Sequence, residues 1–289
     1  MFVLISGWFG IKPTIKGALS LLYQVFFYSS LILLVGLVIG IPIPRGVLSV
    51  FYFGGYYWFI PAYLCLYALS PILNSYIESS SKLQLRSTII AFFLIEFIYG
   101  WMTNMASFNG GYSTISFIGL YLLARYVNKY SLSLKSIKPI VSLGCYISLT
   151  IIPTIIAFFG IKYTGHGFSP ITYCSPFVIL AALFLLLFFQ SFTFRSKFIN
   201  WVACSVFPVY LIHLNPMIVP FFREIMYSAH QTLNGFVYCI FSLGLAILLC
   251  LSCAVIDKAR ILSWKAISPS VSSLISMIEK GISNLLGKA

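Results

Sequence analysis

An all-α, polytopic transmembrane helix bundle is the fold class this sequence predicts, with eight full spans preceded by an N-terminal partial helix. Three observations carry the prediction. Of the 289 residues, 60% are apolar and 8% charged, and the mean hydropathy is +1.00. A soluble domain has roughly 25% charged residues, so this chain has too little polar side chain to cover a wetted surface. The apolar residues also fall into runs of membrane length. Finally, the basic residues gather in alternate connections. Composition thus argues against a soluble enzyme, a disordered chain and a small disulfide scaffold.

A hydrocarbon core takes about 20 helical residues, and its backbone groups must be satisfied internally, which excludes open sheet. Eight runs qualify: 18–39, 57–73, 87–105, 113–128, 139–161, 171–191, 199–222 and 236–256. The second and fourth are short and extend into flanking aromatics. Fifteen of the eighteen basic residues lie in the odd-numbered connections and the tail, and the other three, Arg45, Lys162 and Arg223, in the even ones. Cytoplasmic loops collect Lys and Arg, so this split supports the eight spans and a cytoplasmic C-terminus. It also accounts for the net charge of +13 without a nucleic-acid partner.

Residues 1–11 (MFVLISGWFGI) are apolar but too short to span. They read either as an interfacial or re-entrant lead-in or as the second half of a transmembrane helix. They lack the basic start of a signal peptide. Within them, Ser6-Gly7 predicts a small-residue helix contact. Residues 257–289 mix Lys, Ser and apolar side chains and read as an interfacial amphipathic helix or a loose cytoplasmic end. The seven Cys all lie in apolar runs, and Cys250-x-x-Cys253, in the middle of an apolar helix, reads as small packing residues rather than a metal or redox pair.

The candidate chemistry rests on few residues. His213 lies inside the seventh span and shares a helix face with Tyr210 and Pro216, while Asn215-Pro216 interrupts the helix and frees backbone carbonyls. It is either an active-site His or a buried His that positions a neighbouring helix. Glu96, in FFLIEFIYG, sits mid-span, where a lone carboxylate is costly. It either pairs with a cation, accepts a proton, binds hydroxyls, or stays protonated and bonds a neighbouring helix. His166 lies between Gly165 and Gly167 in an outer loop, and His230 in the last outer loop; both fit solvent-exposed His as well. Tyr56, Tyr57, Trp58, Tyr63 and Tyr67 suit sugar stacking or an interfacial aromatic belt. Pro61, Pro71 and Asn74 shape the same span and its end. Arg125, Lys129, Lys135 and Lys138 crowd one connection, where they either attract phosphates or simply hold topology. No phosphate-binding loop, nucleophile elbow, dinucleotide fingerprint or metal cluster is present in the sequence.

Four stretches carry a family resemblance: FVLISGWFG at 2–10, YYWFIPAYLCLYALSPILN at 56–74, SFIGLYLLARYVNKY at 116–130 and FPVYLIHLNP at 207–216. In this order they resemble the acyltransferase family 3 membrane proteins, which include O-acetyltransferases of bacterial surface polysaccharides. The resemblance runs over nearly the whole chain. It implies a helix bundle, here one transmembrane acyltransferase-like domain over 1–256 and a tail over 257–289. It implies acetyl-CoA, or another acyl-CoA, as a donor substrate on the inner side, with no permanently bound cofactor or metal. The acceptor it implies is a sugar hydroxyl on a cell-surface polysaccharide or its lipid-linked precursor.

The family's first helix carries a basic residue followed by the His taken as catalytic. This sequence matches from the second helix onward, which favours the half-helix reading of residues 1–11. The family's base therefore has no counterpart here, and an inactive fragment is one expectation. His213, in the Y-L-I-H element, becomes the candidate base. Tyr210, Glu96, Trp58, Tyr67, Asn74 and His166 become candidate substrate contacts, and Arg125, Lys129, Lys135 and Lys138 candidate contacts to coenzyme A. The expected setting is the bacterial inner membrane, multi-pass, with the bilayer, acyl-CoA and a glycan as partners. A transporter of polysaccharide or lipid carrier, or a non-catalytic membrane partner, is the competing expectation, since a midplane Glu and His also suit a transport path.

Overall fold

The computed structural model describes residues 1–44, 47–52, 57–164 and 170–286, and among them all regular structure is helical. The first helix, α1 (Phe2–Phe9), stops at Gly10, whose φ of 78° is costly for a residue with a Cβ. Thr14 caps α2 (Ile15–Val38) by accepting from Gly17 N. A 3-10 turn, Val47–Tyr52, precedes α3 (Phe59–Ser79). Ser81 and Gln84 form a reciprocal capping box at the start of α4 (Lys82–Ile95). That helix runs on through a π-helical segment, Glu96–Met102, in which Thr103 N donates to the Ile98 carbonyl five residues back. Ser113 caps α5 (Thr114–Tyr130), which is followed by the single turn α6 (Leu132–Lys135). Then come α7 (Pro139–Thr164) and α8 (Pro176–Gln190). The rest is α9 (Lys197–Ala203), α10 (Val206–His213), α11 (Val219–Thr232) and α12 (Gly235–Leu286).

Among the described residues, five stretches are long and apolar enough to cross a membrane: Ile15–Val38, Phe59–Ser79, Lys82–Met102, Pro139–Gly160 and Gly235–Lys280. They coincide with the first, second, third, fifth and eighth expected spans. Expected spans 113–128 and 171–191 fold as α5 and α8, of 17 and 15 residues, below that length. Expected span 199–222 is not one helix but α9, α10 and the start of α11. Pro216 and Pro220 lack the N–H that would continue a helix, and the Asn215 N–H turns back to the Ile212 carbonyl at 3.2 Å. Expected span 236–256 lies within α12, which runs on through the tail to Leu286.

The chain packs as two compact units, one of residues 1–13 and 59–194, the other of residues 14–58 and 195–289. In the first, α5 lies at the centre and touches α1, α3 and α4, while α8 packs on α7 and α1. Leu4, Ala124 and Leu186 form one buried cluster, and Val127, Leu183 and Leu187 another. Gly7 makes the close approach of α1 to α5 possible. A Cβ there would lie 2.8 Å from the Tyr121 carbonyl oxygen and 2.9 Å from Ala124 Cβ. The small-residue contact expected from Ser6-Gly7 is therefore present, and Ser6 Oγ also shares a 3.0 Å hydrogen bond with Tyr63 Oη.

The second unit is built on α2, α10 and α12, which touch pairwise, with α9 and α11 against α12. Its apolar core gathers Ile32, Val47 and Met217. Gly36 of α2 meets the end of the Met217 side chain, which would have to shift to admit a Cβ there.

Candidate functional site

The most structured polar site lies in the second unit, around the eight-residue helix α10. Both of its ends are tied to other elements. At the start, Ser205 Oγ donates to Asp257 Oδ2 at 2.8 Å. Asp257 is fully buried and also receives Tyr28 Oη at 2.7 Å. Arg260, one turn on, grips both carboxylate oxygens at 2.8 Å. Such a two-pronged guanidinium–carboxylate pair satisfies both buried charges. Each oxygen of Asp257 thus accepts two hydrogen bonds, and the network joins α2, the start of α10 and α12.

At the other end, α10 stops at His213. The Leu211 carbonyl loses its usual helical donor because the Asn215 N–H has turned to Ile212. Tyr57 supplies the replacement, donating Oη to Leu211 O at 2.7 Å. Asn215 completes the arrangement, giving Nδ2 to Tyr57 Oη at 3.1 Å and accepting Met217 N at Oδ1 at 3.0 Å. Tyr57 and Asn215 are both buried. His213 is half-buried, and its Nδ1 lies 2.7 Å from the Val209 carbonyl. A carbonyl only accepts, so Nδ1 carries the proton, and Nε2 bonds to none of the described residues. Tyr210 stacks on Phe207 and lies 6.0 Å, ring to ring, from Tyr57. An apolar cavity of about 220 Å³ borders this turn, with Ile212, Met217, Ile32 and Gly36 in its wall.

In the first unit, Glu96 opens the π-helical segment and is 1% exposed. Cys174 Sγ donates to its Oε1 at 3.5 Å, and Ser116 Oγ lies 3.9 Å from the same Sγ. Glu96 Oε2 has no partner among the described residues. No cation reaches it, so the ion-pair reading of Glu96 does not hold among the described residues, while its thiol partner fits the remaining readings. Gly100, one turn later, admits Cys174: a Cβ there would lie 2.8 Å from Sγ. Local widening of a helix into a π-segment is common at functional sites.

The basic connection lies at the opposite end of α5. Ser116 and Arg125 are nine residues apart on that helix, about 14 Å by helical rise. Arg125 and Lys129 both pair with Glu78, at 3.2 and 3.1 Å, and Lys129 also donates to the Ile77 carbonyl. Lys135 donates to the Asn128 carbonyl at 2.9 Å and lies over the Trp8 ring. Lys138 is exposed. Arg125 Nε is buried and bonds to none of the described residues.

Asn74 is held in structure rather than left open. Its Nδ2 donates to the Ile11 carbonyl at 2.9 Å, its Oδ1 accepts Tyr121 Oη at 2.6 Å, and the Ile11 N–H donates to Tyr121 Oη at 3.0 Å. Tyr67 is half-buried in α3, and Trp58, half-buried, belongs to the second unit. His166 and Tyr56 lie outside the described residues. Among the expected site residues, the second unit therefore brings Tyr210 and His213 together, whereas Glu96 and the basic group occupy two separate ends of α5.

Sequence reasoning missed Tyr28, Ser205, Asp257 and Arg260, and read Tyr57 as one ring of an aromatic belt. One signal was available: VIDKAR places Asp257 and Arg260 three residues apart on one face of an apolar helix, where an unpaired charge is not tolerated.

A helical protein with five apolar, membrane-length helices and polar sites buried between them is a multi-pass membrane protein. Residues 1–255 match the acyltransferase domain of acyltransferase family 3, and the chain belongs to that family. By class it is a membrane acyltransferase. No curated protein and no solved structure gives a significant match.

Proposed function

We propose that this protein is an O-acyltransferase of the bacterial inner membrane, with a cytoplasmic C-terminus. It moves an acyl group, acetyl in the simplest case, from acyl-CoA to a sugar hydroxyl of a cell-surface polysaccharide or its lipid-linked precursor. The observation that carries the reading is the arrangement of His213 within a chain of this family. Its Nδ1 is committed to the Val209 carbonyl, which directs the lone pair of the neutral ring to Nε2. That atom takes the hydroxyl proton as the oxygen attacks the thioester carbonyl, and the coenzyme A thiolate leaves.

The other residues take supporting roles. Arg125, Lys129, Lys135 and Lys138 attract the donor's phosphates. Tyr210, next to His213, offers a ring face to the sugar. The cavity beside Ile212 and Met217 accepts the apolar part of the acyl group. Glu96 binds acceptor hydroxyls in the first unit.

The test uses the full chain in vesicles with labelled acetyl-CoA and surface glycan. Wild type transfers label, and His213→Gln loses about a hundredfold or more, the range for removing a general base. Transfer undiminished in His213→Gln removes His213 from the chemistry. No transfer to any glycan, with glycan or lipid carrier moved across the bilayer instead, means a transporter.

A further inference from the structure

The geometry points to Tyr57 and Asn215 as positioning residues for His213, an assignment that rests on the proposed role of His213 as the base. A helix end leaves carbonyls without donors, and one that is buried, as around Leu211 and Asn215, has no bulk water to replace them. Leu211 supplies such a carbonyl, and Tyr57 Oη serves it at 2.7 Å. The Val209 carbonyl, inside α10, is also reached by the His213 ring, at 2.7 Å. Without the Tyr57 hydroxyl the Leu211 carbonyl would be buried without a donor, and the turn that carries His213 would have to shift to find it one. Asn215 closes the arrangement by spending its amide on Tyr57 Oη and Met217 N. The backbone on both sides of His213, at 211 and at 215, is thereby fixed by one phenol.

The consequence is chemical as well as mechanical. A neutral imidazole has two tautomers, and only the Nδ1–H form presents a bare Nε2. Tyr57 acts by holding the turn from which the His213 ring reaches the Val209 carbonyl, the acceptor that selects this form. The buried titratable groups of α2 and α12 that bond toward α10, Asp257, Arg260 and Tyr28, meet at Ser205, eight residues and about 12 Å before His213 along the rise of α10. They do not select the tautomer.

The experiment pairs kinetics with nitrogen NMR of histidine-labelled full chain in nanodiscs, with the His213 signal assigned by its loss in His213→Gln. In wild type the His213 ring is the Nδ1–H tautomer. Tyr57→Phe keeps the ring and deletes only the hydroxyl. It should convert the His213 signal to a mixture of tautomers and lower kcat by about ten- to a hundredfold, the cost of a displaced catalytic group. KM for acyl-CoA should stay within about twofold, since a group acting only in the transition state changes kcat and not binding. Asn215→Ala leaves the Tyr57–Leu211 bond in place and should shift the same signal less; it serves as the second variant if Tyr57→Phe does not fold. Adding Tyr57→Phe to His213→Gln should cost nothing further.

An unchanged His213 signal in the Tyr57 or Asn215 variant overturns the assignment. So do losses that multiply in the double variant, which would mean that Tyr57 supports the fold alone. Full activity in His213→Gln overturns the role of His213 itself, and the NMR comparison still decides whether Tyr57 sets its tautomer.

Discussion

Ser205 donates its hydroxyl proton to Asp257 Oδ2 at 2.8 Å, and through this bond the helix carrying His213 is anchored to a buried ion pair. Asp257 is the acceptor for Tyr28, Ser205 and Arg260 together. Its removal would strand a buried guanidinium. Asp257→Ala is expected to destabilise the protein by about 3–5 kcal/mol, the cost of breaking a buried pair. Thermal unfolding in detergent checks this. The double variant Asp257→Ala/Arg260→Leu should recover part of the loss, because no unpaired charge remains. A double variant as unstable as the sum of the singles would show that the two side chains do not act as a pair.

Gly7 lets α1 approach α5 closely. Gly7→Val places branched carbon where the Tyr121 carbonyl and Ala124 Cβ already sit at 2.8 and 2.9 Å from the first added atom. Overpacking of this kind costs about 1–3 kcal/mol. The expected outcome is a lower melting temperature, and detachment of α1 seen as faster protease cleavage near Gly10. A Gly7→Val protein as stable as wild type would mean that α1 does not pack on α5 as described.

Glu78 competes with any anion for Arg125 and Lys129. It is largely exposed, with 62% of its side chain accessible, so its two ion pairs add under about 1 kcal/mol to stability. Glu78→Gln should therefore leave the melting temperature nearly unchanged while tightening binding of coenzyme A severalfold at low salt. Calorimetry at two salt concentrations checks both statements, since screening should erase most of the gain. Weaker binding in Glu78→Gln would place the phosphates elsewhere.

Glu96 offers a cleaner separation of roles, because it and the basic group lie at opposite ends of α5. Glu96→Gln keeps the shape and one acceptor for Cys174. It should lower transfer to glycan by about tenfold or more, the scale of a lost charged hydrogen bond, with coenzyme A affinity unchanged. A Glu96→Gln enzyme with wild-type transfer would assign the carboxylate to structure.

The sequence was most legible where one physical demand dominates. Apolar runs located α2, α3, α4, α7 and α12, because a membrane-length helix must be apolar over its whole length. Ser6-Gly7 announced the contact of α1 with α5, since so small a pair has little other use in a helix. The run 199–222 misled because hydropathy averages over prolines, and Pro216 and Pro220 decide the backbone there while scarcely lowering the average. Asp257 lay beyond reading for a related reason. With Lys258 and Arg260 beside it, it looks like the first polar residue of a tail, and only the fold brings Tyr28 and Ser205, far away in sequence, to meet it. Tyr57 was hidden among similar neighbours: an aromatic at a membrane interface and an aromatic capping a carbonyl have the same letter.

The length of α12 carries a consequence for depth. Its 52 residues rise about 78 Å, more than twice a hydrocarbon core of about 30 Å. Asp257 stands 22 residues into it, about 33 Å from Gly235. If Gly235 marks one face of the hydrocarbon and the helix stands upright, the ion pair marks the other. The pair then works as a depth gauge: sliding α12 one turn inward would drag two charges into lipid, and sliding it outward would pull apolar residues into water. His213 hangs from that gauge through Ser205, so the level of the candidate base in the bilayer is set by a carboxylate that takes no part in the chemistry.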